Sequence, residues 1–109
     1  MVLLIVVSIS TTNIQVDGHA GYAEPGKDII CSAVSVLTFN LIKSIESLTK
    51  DKIKYQDNTP GHINIQFENL SERSKLLIDS FFIGVSEVAT AYPEYVQIID
   101  TAPNGRKTE

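Results

Sequence analysis

The chain has 109 residues, 43% of them hydrophobic and 20% charged, with a formal net charge of −4. That length supports one core and not two. The hydrophobic content excludes a disordered tail, and the acidity excludes a strongly basic phosphate-binding surface, so direct nucleic-acid binding is not expected while a basic partner segment is favoured. One cysteine and two histidines exclude an internal disulfide and a cysteine-rich zinc site; their spacing matches no common metal site.

The opening MVLLIVVSIS is apolar but short, lacks a basic leader region, and is interrupted at once by Thr11, Thr12 and Asn13. No stretch is expected to approach the length that crosses a bilayer. Residues 2–9 read instead as a central β-strand, rich in β-branched side chains. Ser10 to Asn13 form a turn, and residues 14–17 alternate as a strand with one wet face, giving a hairpin. Residues 18–27 form a loop whose Gly18, Gly21, Gly26 and Pro25 permit unusual backbone angles. Asp28 reads as the N-cap of a helix running to about Leu48, with Ile30, Val34, Leu37, Leu41, Ile45 and Leu48 as its core-facing stripe. A polar connection from Lys50 leads into a third strand, Asn58 to Gly61 make a turn, and Ile63, Ile65 and Phe67 alternate as a half-buried strand. Ser71 caps a second helix with Glu72 near its positive end; Leu77, Phe81, Val85, Val88 and Tyr92 form its stripe, and Pro93 stops it. Tyr95 to Ile99 read as the last strand.

The order β-β-α-β-β-α-β implies an α+β two-layer sandwich, with two helices on one face of a mainly antiparallel sheet. Residues 1–102 form a single domain, and 103–109 a frayed tail. Adjacent Phe81 and Phe82 cannot share the centre of one stripe. With Ile83 they suggest a second apolar surface, for which a dimer contact and a broad buried face are the two explanations.

Cys31 is the residue with chemistry to offer. Were Asp28 the cap, Cys31 would occupy the third helical position, where the dipole favours thiolate over thiol and unpaired amides can receive an oxyanion. The plain alternative is a small buried hydrophobe. His19, in the glycine-rich loop, is the natural base for a thiol near neutral pH. A third member is open among Ser35, one turn beyond Cys31 on the same face, Asp28 as an orienter of His19, and the weaker Asp17 and Glu24. His62 is a rival base, but its place in the alternation points it to the solvent-facing or partner-facing side of its strand, which reads as structural or surface.

The segment GHAGYAEPGKDIICSAVS resembles the signature of the ribosomal-processing cysteine protease family called Prp. Gly18, His19 and Ala20 match its Gly-His-Ala loop; Gly26, Asp28, Ile29, Ile30 and Cys31 match its helix start; Ala33 and Ser35 close the pattern. Length, element order and the Tyr-Pro boundary before the last strand agree, so the resemblance covers nearly the whole chain. It implies a homodimeric cytoplasmic endopeptidase that removes the N-terminal extension of the twenty-seventh protein of the large ribosomal subunit, with no cofactor or metal and no membrane partner. It further implies Cys31 as nucleophile, His19 as base, Asp28 and Ser35 in support, and a mobile histidine loop containing Gly18, Gly21 and Gly26. The substrate extension would come from a basic protein, which suits an acidic chain, and a lone thiol suits a reducing cytosol. Two other classes stand as alternatives. One is a non-catalytic ribosome-assembly interaction module with an inert Cys31; the other is a small ligand-binding regulatory domain.

Overall fold

The computed structural model describes residues 4–18, 27–59 and 61–101, with the backbone alone for Lys27 and Asp28. The element order is β1 (Ile5–Ile9), β2 (Asn13–Asp17), α1 (Lys27–Leu48), β3 (Tyr55–Thr59), β4 (His62–Gln66), α2 (Glu72–Ala91) and β5 (Val96–Asp100). This is the order expected from the alternation and stripe patterns. The frayed tail expected from 103 and most of the glycine-rich loop lie outside the described residues.

The strands form one sheet in the order β3-β4-β2-β1-β5. β1–β2, β2–β4 and β3–β4 pair antiparallel, while β1 and β5 pair parallel. The sheet is therefore mixed. Each helix links two strands that run the same way, α1 from β2 to β3 and α2 from β4 to β5, and a parallel return of this kind needs a crossover element. Turn chemistry sets the β3–β4 hairpin: Thr59 pairs with His62, so two residues close it, and Gly61 takes a positive φ of 77°, which glycine adopts without steric cost.

The pleat sorts side chains into two faces. Ile5, Val7 and Ile9 of β1, Ile14 and Val16 of β2, and Ile63 and Ile65 of β4 join Val96 and the helices in one buried cluster. The intervening Val6, Ser8, Asn13, Gln15, Asp17, His62 and Asn64 are only half-buried and form a largely polar sheet face. There Asn13 Nδ2 donates to Asn64 Oδ1 across β2 and β4 at 2.7 Å.

The helices correct several expectations. α1 starts at Lys27, so Asp28 lies inside its first turn and is not its cap; a carboxylate in the first turn complements the dipole as a cap does, and composition does not separate the two. Cys31 is accordingly the fifth residue of α1. Ile30, Val34, Leu41 and Ile45 are buried as expected, but Leu48 is 59% exposed, while Ile42 and Thr38 are buried. Thr38 is tolerated there because its hydroxyl donates to the Val34 carbonyl at 2.7 Å. The stretch Ile29–Leu48 has a mean hydropathy of 1.5 and is, by length and composition, long and apolar enough to cross a membrane, contrary to the expectation that no stretch is. In the fold its Ile30–Ile45 stripe packs into the core.

In α2, Phe81 and Val85 are buried, Leu77 and Val88 half-buried, and Tyr92 is exposed as the C-cap. Phe82 is 7% exposed and belongs to the core together with Ile78, whereas Ile83 is 63% exposed. The broad buried face is thus the correct explanation of the Phe pair, because α2 packs against α1 beside it as well as against the sheet. Ser71 is the N-cap, accepting from the Ser74 amide. Asp51 braces it, accepting from the Ser71 amide at 2.9 Å and the Ser71 hydroxyl at 2.7 Å, and from the Ser74 hydroxyl. This cluster ties the exit of α1 to the entrance of α2.

Candidate active site

One end of the sheet gathers the start of β1, the end of β2, the end of β3 and the start of β4. The opening turns of α1 lie over it, and between them is a cleft of about 360 Å³. Cys31, Ser35 and Phe39 form its helical wall, spaced at i, i+4 and i+8 so that all three share a face. Val34 completes that wall, and Ile5, Val16 and Ile63 make an apolar floor. Gly18, Gly61, His62, Asn58 and Thr59 form the rim on the sheet side.

The fold brings Cys31 and Ser35 together on one wall of this cleft, as their four-residue spacing predicts. Cys31 is half-buried and packs against the core cluster on one side, so it is part hydrophobe and part cleft surface. Asp28 sits one turn before it in α1. Gly18, on the rim, directly precedes His19 in the chain. His19, Gly21 and Gly26, and the weaker candidate Glu24, lie outside the described residues.

Because α1 begins at Lys27, the unpaired amides of its first turn belong to residues 27–29, and the Cys31 amide is positioned to bond back to the Lys27 carbonyl. Any oxyanion donors on this helix therefore precede the cysteine.

The sheet rim adds what sequence reasoning missed. His62 does lie on the non-core face of β4, as its alternation implies, but it is not isolated. It stands opposite Asp17 in the β2–β4 register, and its Nδ1 donates to the Asp17 carboxylate. Its Nε2 lies 4.0 Å from the Asp57 carboxylate on β3. The hydrogen bond to Asp17 raises the imidazole above its ordinary pKa against an opposing desolvation effect, and the charges of Asp17 and Asp57 add to the rise. The available signal was that Asp17 ends one strand and His62 begins another, both on the wet side of the alternation; their pairing needed the β2–β4 register.

A family model described as Cysteine protease Prp matches residues 4–97. The chain is 28% identical over 90 residues to the ribosomal processing cysteine protease Prp of Staphylococcus aureus, covering 80% of this chain and 84% of that protein. It is 28% identical over 97 residues to the ribosomal processing cysteine protease Prp of Mycoplasma genitalium, covering 87% and 94%. The fold superposes on SMU.848 from Streptococcus mutans with a TM-score of 0.73 at 27% identity, over 92% of each chain. It superposes on the essential ribosomal processing protease Prp from S. aureus, solved with a covalently linked product peptide, with a TM-score of 0.75 at 21% identity, over 91% of this chain and 99% of that one.

Proposed function

The chain belongs to the cysteine protease Prp family, and from that premise we propose that it is the cytoplasmic endopeptidase that removes the N-terminal extension of the twenty-seventh large-subunit ribosomal protein. Cys31 is the nucleophile and His19 its base. The observation that carries this reading is the cleft itself: Cys31 and Ser35 line one wall, and the rim facing them contains Gly18, the residue before His19.

His19 takes the Cys31 proton or pairs with the thiolate. The sulfur attacks the scissile carbonyl carbon, the C–S bond forms, and the carbonyl electrons move to oxygen, where amides from the first turn of α1 receive them. Collapse breaks the C–N bond, and His19 gives its proton to the departing amine. Water, deprotonated by His19, then cleaves the thioester and restores the thiol. Ser35 supports the site from one helical turn beyond the sulfur, and Asp28 from the turn before it. The chemistry asks for no metal or cofactor.

The substrate extension comes from a basic protein, which a chain of net charge −4 attracts. The working unit is a homodimer. Leu76 and Ile83 are exposed seven residues apart on α2, and Ile29 and Val36 likewise on α1; each pair falls on one side of its helix and supports a covered outer surface.

The test is cleavage of a ribosomal-protein precursor carrying its N-terminal extension, read by mass spectrometry. Wild type should yield one defined N-terminal product, and Cys31→Ala should yield none while keeping its circular dichroism spectrum. Full cleavage by Cys31→Ala would refute the reading. Tight precursor binding with no product from either protein would favour the interaction module.

A further inference from the structure

Three contacts hold the chain where β2 ends. Asp17 accepts a hydrogen bond from His62 Nδ1 across the β2–β4 ladder. Gly18 donates its amide to the Gly61 carbonyl at 3.0 Å. Gly18 also lies so close to β1 that a Cβ on it would stand 2.8 Å from Ile5 Cα. The next residue is His19.

The first of these contacts is unlike the others in being made between two side chains. Asp17 and His62 sit on the polar face of the sheet, away from the apolar cluster. A half-exposed pair of this kind adds little to global stability. It does add direction, since a carboxylate and an imidazole in directly opposed positions fix the relative placement of two strand ends. Both Gly18 and His62 line the same cleft as Cys31, so the clamped strand end is also the cleft rim.

We propose that Asp17 and His62 are a positioning pair that fixes the end of β2 at the rim of the Cys31 cleft, immediately before His19 in the chain. This rests on the reading of His19 and Cys31 as base and nucleophile. Among the described residues, the charged groups facing His62 are Asp17 from β2 and Asp57 from β3; both favour the imidazolium, so the clamp is tightest when His62 is protonated.

The experiment uses the full chain and the variants Asp17→Ala, His62→Ala and the double. Three readouts are taken: kcat and KM for precursor cleavage, the rate of Cys31 alkylation by iodoacetamide over about pH 5 to 9, and the His62 imidazole titration by NMR. Each single variant should lower kcat roughly tenfold to a hundredfold with little change in KM or thermal midpoint, as misplacement of a reacting group does. The double variant should lose no more than either single. The ratio of wild-type to His62→Ala activity should shrink as pH rises through the His62 titration, and Asp17→Ala should move that titration down; a merely structural contact would leave the ratio flat.

Wild-type kcat and alkylation in the single variants would overturn the proposal, as would losses that multiply in the double. Failure of the parent reading shows differently. A wild-type chain that cleaves no precursor, but whose Cys31 alkylation still depends on His62 and Asp17, removes the endopeptidase and keeps the pair. Alkylation indifferent to His19→Ala, made as a separate control, removes both.

Discussion

Gly18→Ala tests how tightly the cleft floor is built. The added Cβ would stand 2.8 Å from both Cα and Cγ1 of Ile5, where carbon–carbon contact is comfortable at about 3.5–4.0 Å. One strand end must therefore yield by roughly 1 Å. Ile5 has little room to do so: β1 is paired on both sides, with β2 and β5, and the Ile5 amide donates to the Tyr95 carbonyl at 2.8 Å. Gly18 is itself held to Gly61. Forcing extra volume into such a place costs about 1–3 kcal/mol. For a domain of this size each kcal/mol lowers the thermal midpoint by about 4–8 °C.

The assay is urea unfolding followed by circular dichroism at neutral pH, checked by a thermal scan; the midpoint should fall with the slope m unchanged. Ile5→Ala in the same background removes the Cγ1 contact but leaves Cα in place. The double variant should therefore be less destabilised than the sum of the singles, but not restored. A Gly18→Ala chain within about 0.5 kcal/mol of wild type would refute the claim that β1 and the end of β2 are in enforced contact.

Neighbouring residues on α2 should separate sharply in an alanine comparison: Phe82→Ala, in the core at 7% exposure, should cost about 3–5 kcal/mol, while Ile83→Ala should stay within about 0.5 kcal/mol in the monomer. Equal costs would mean that Phe82 is not a core residue. The Ser74 hydroxyl foremost, then the Ser71 hydroxyl and amide, hold the Asp51 carboxyl below its ordinary pKa. The stability this contributes is fully present above the ordinary carboxylate value and is lost as pH falls through the depressed one. Asp51→Asn should accordingly flatten the acid limb of a plot of urea midpoint against pH, and an unchanged limb would show that Asp51 is not a source of it. Ser71→Ala should cost about 1 kcal/mol by loss of the N-cap, measurable in the same titration.

What the sequence determined by itself is whatever nearest neighbours encode. Alternation at Ile63, Ile65 and Phe67 puts alternate side chains on opposite faces whatever the strand pairs with. Ser71 bonds to an amide three residues away, and Cys31 and Ser35 share a face because a helix repeats at 3.6 residues. The Gly-His-Ala and Asp-Ile-Ile-Cys segments carried the family in the same local way.

What only tertiary structure decided depends on groups far apart in the chain. A helix stripe says which side is apolar but not how far the sheet extends beneath it, so Leu48 runs out into solvent while Ile42 and Thr38 are covered. Phe82 is buried because a second helix lies beside the first, which no window on α2 contains. The parallel β1–β5 edge follows from two crossovers acting on one sheet. His62 reads as an ordinary strand residue until the register sets it against Asp17, 45 positions earlier. That encounter is settled by the closure of the whole sheet, because a pairing between distant strands has no energy until the elements between them have folded.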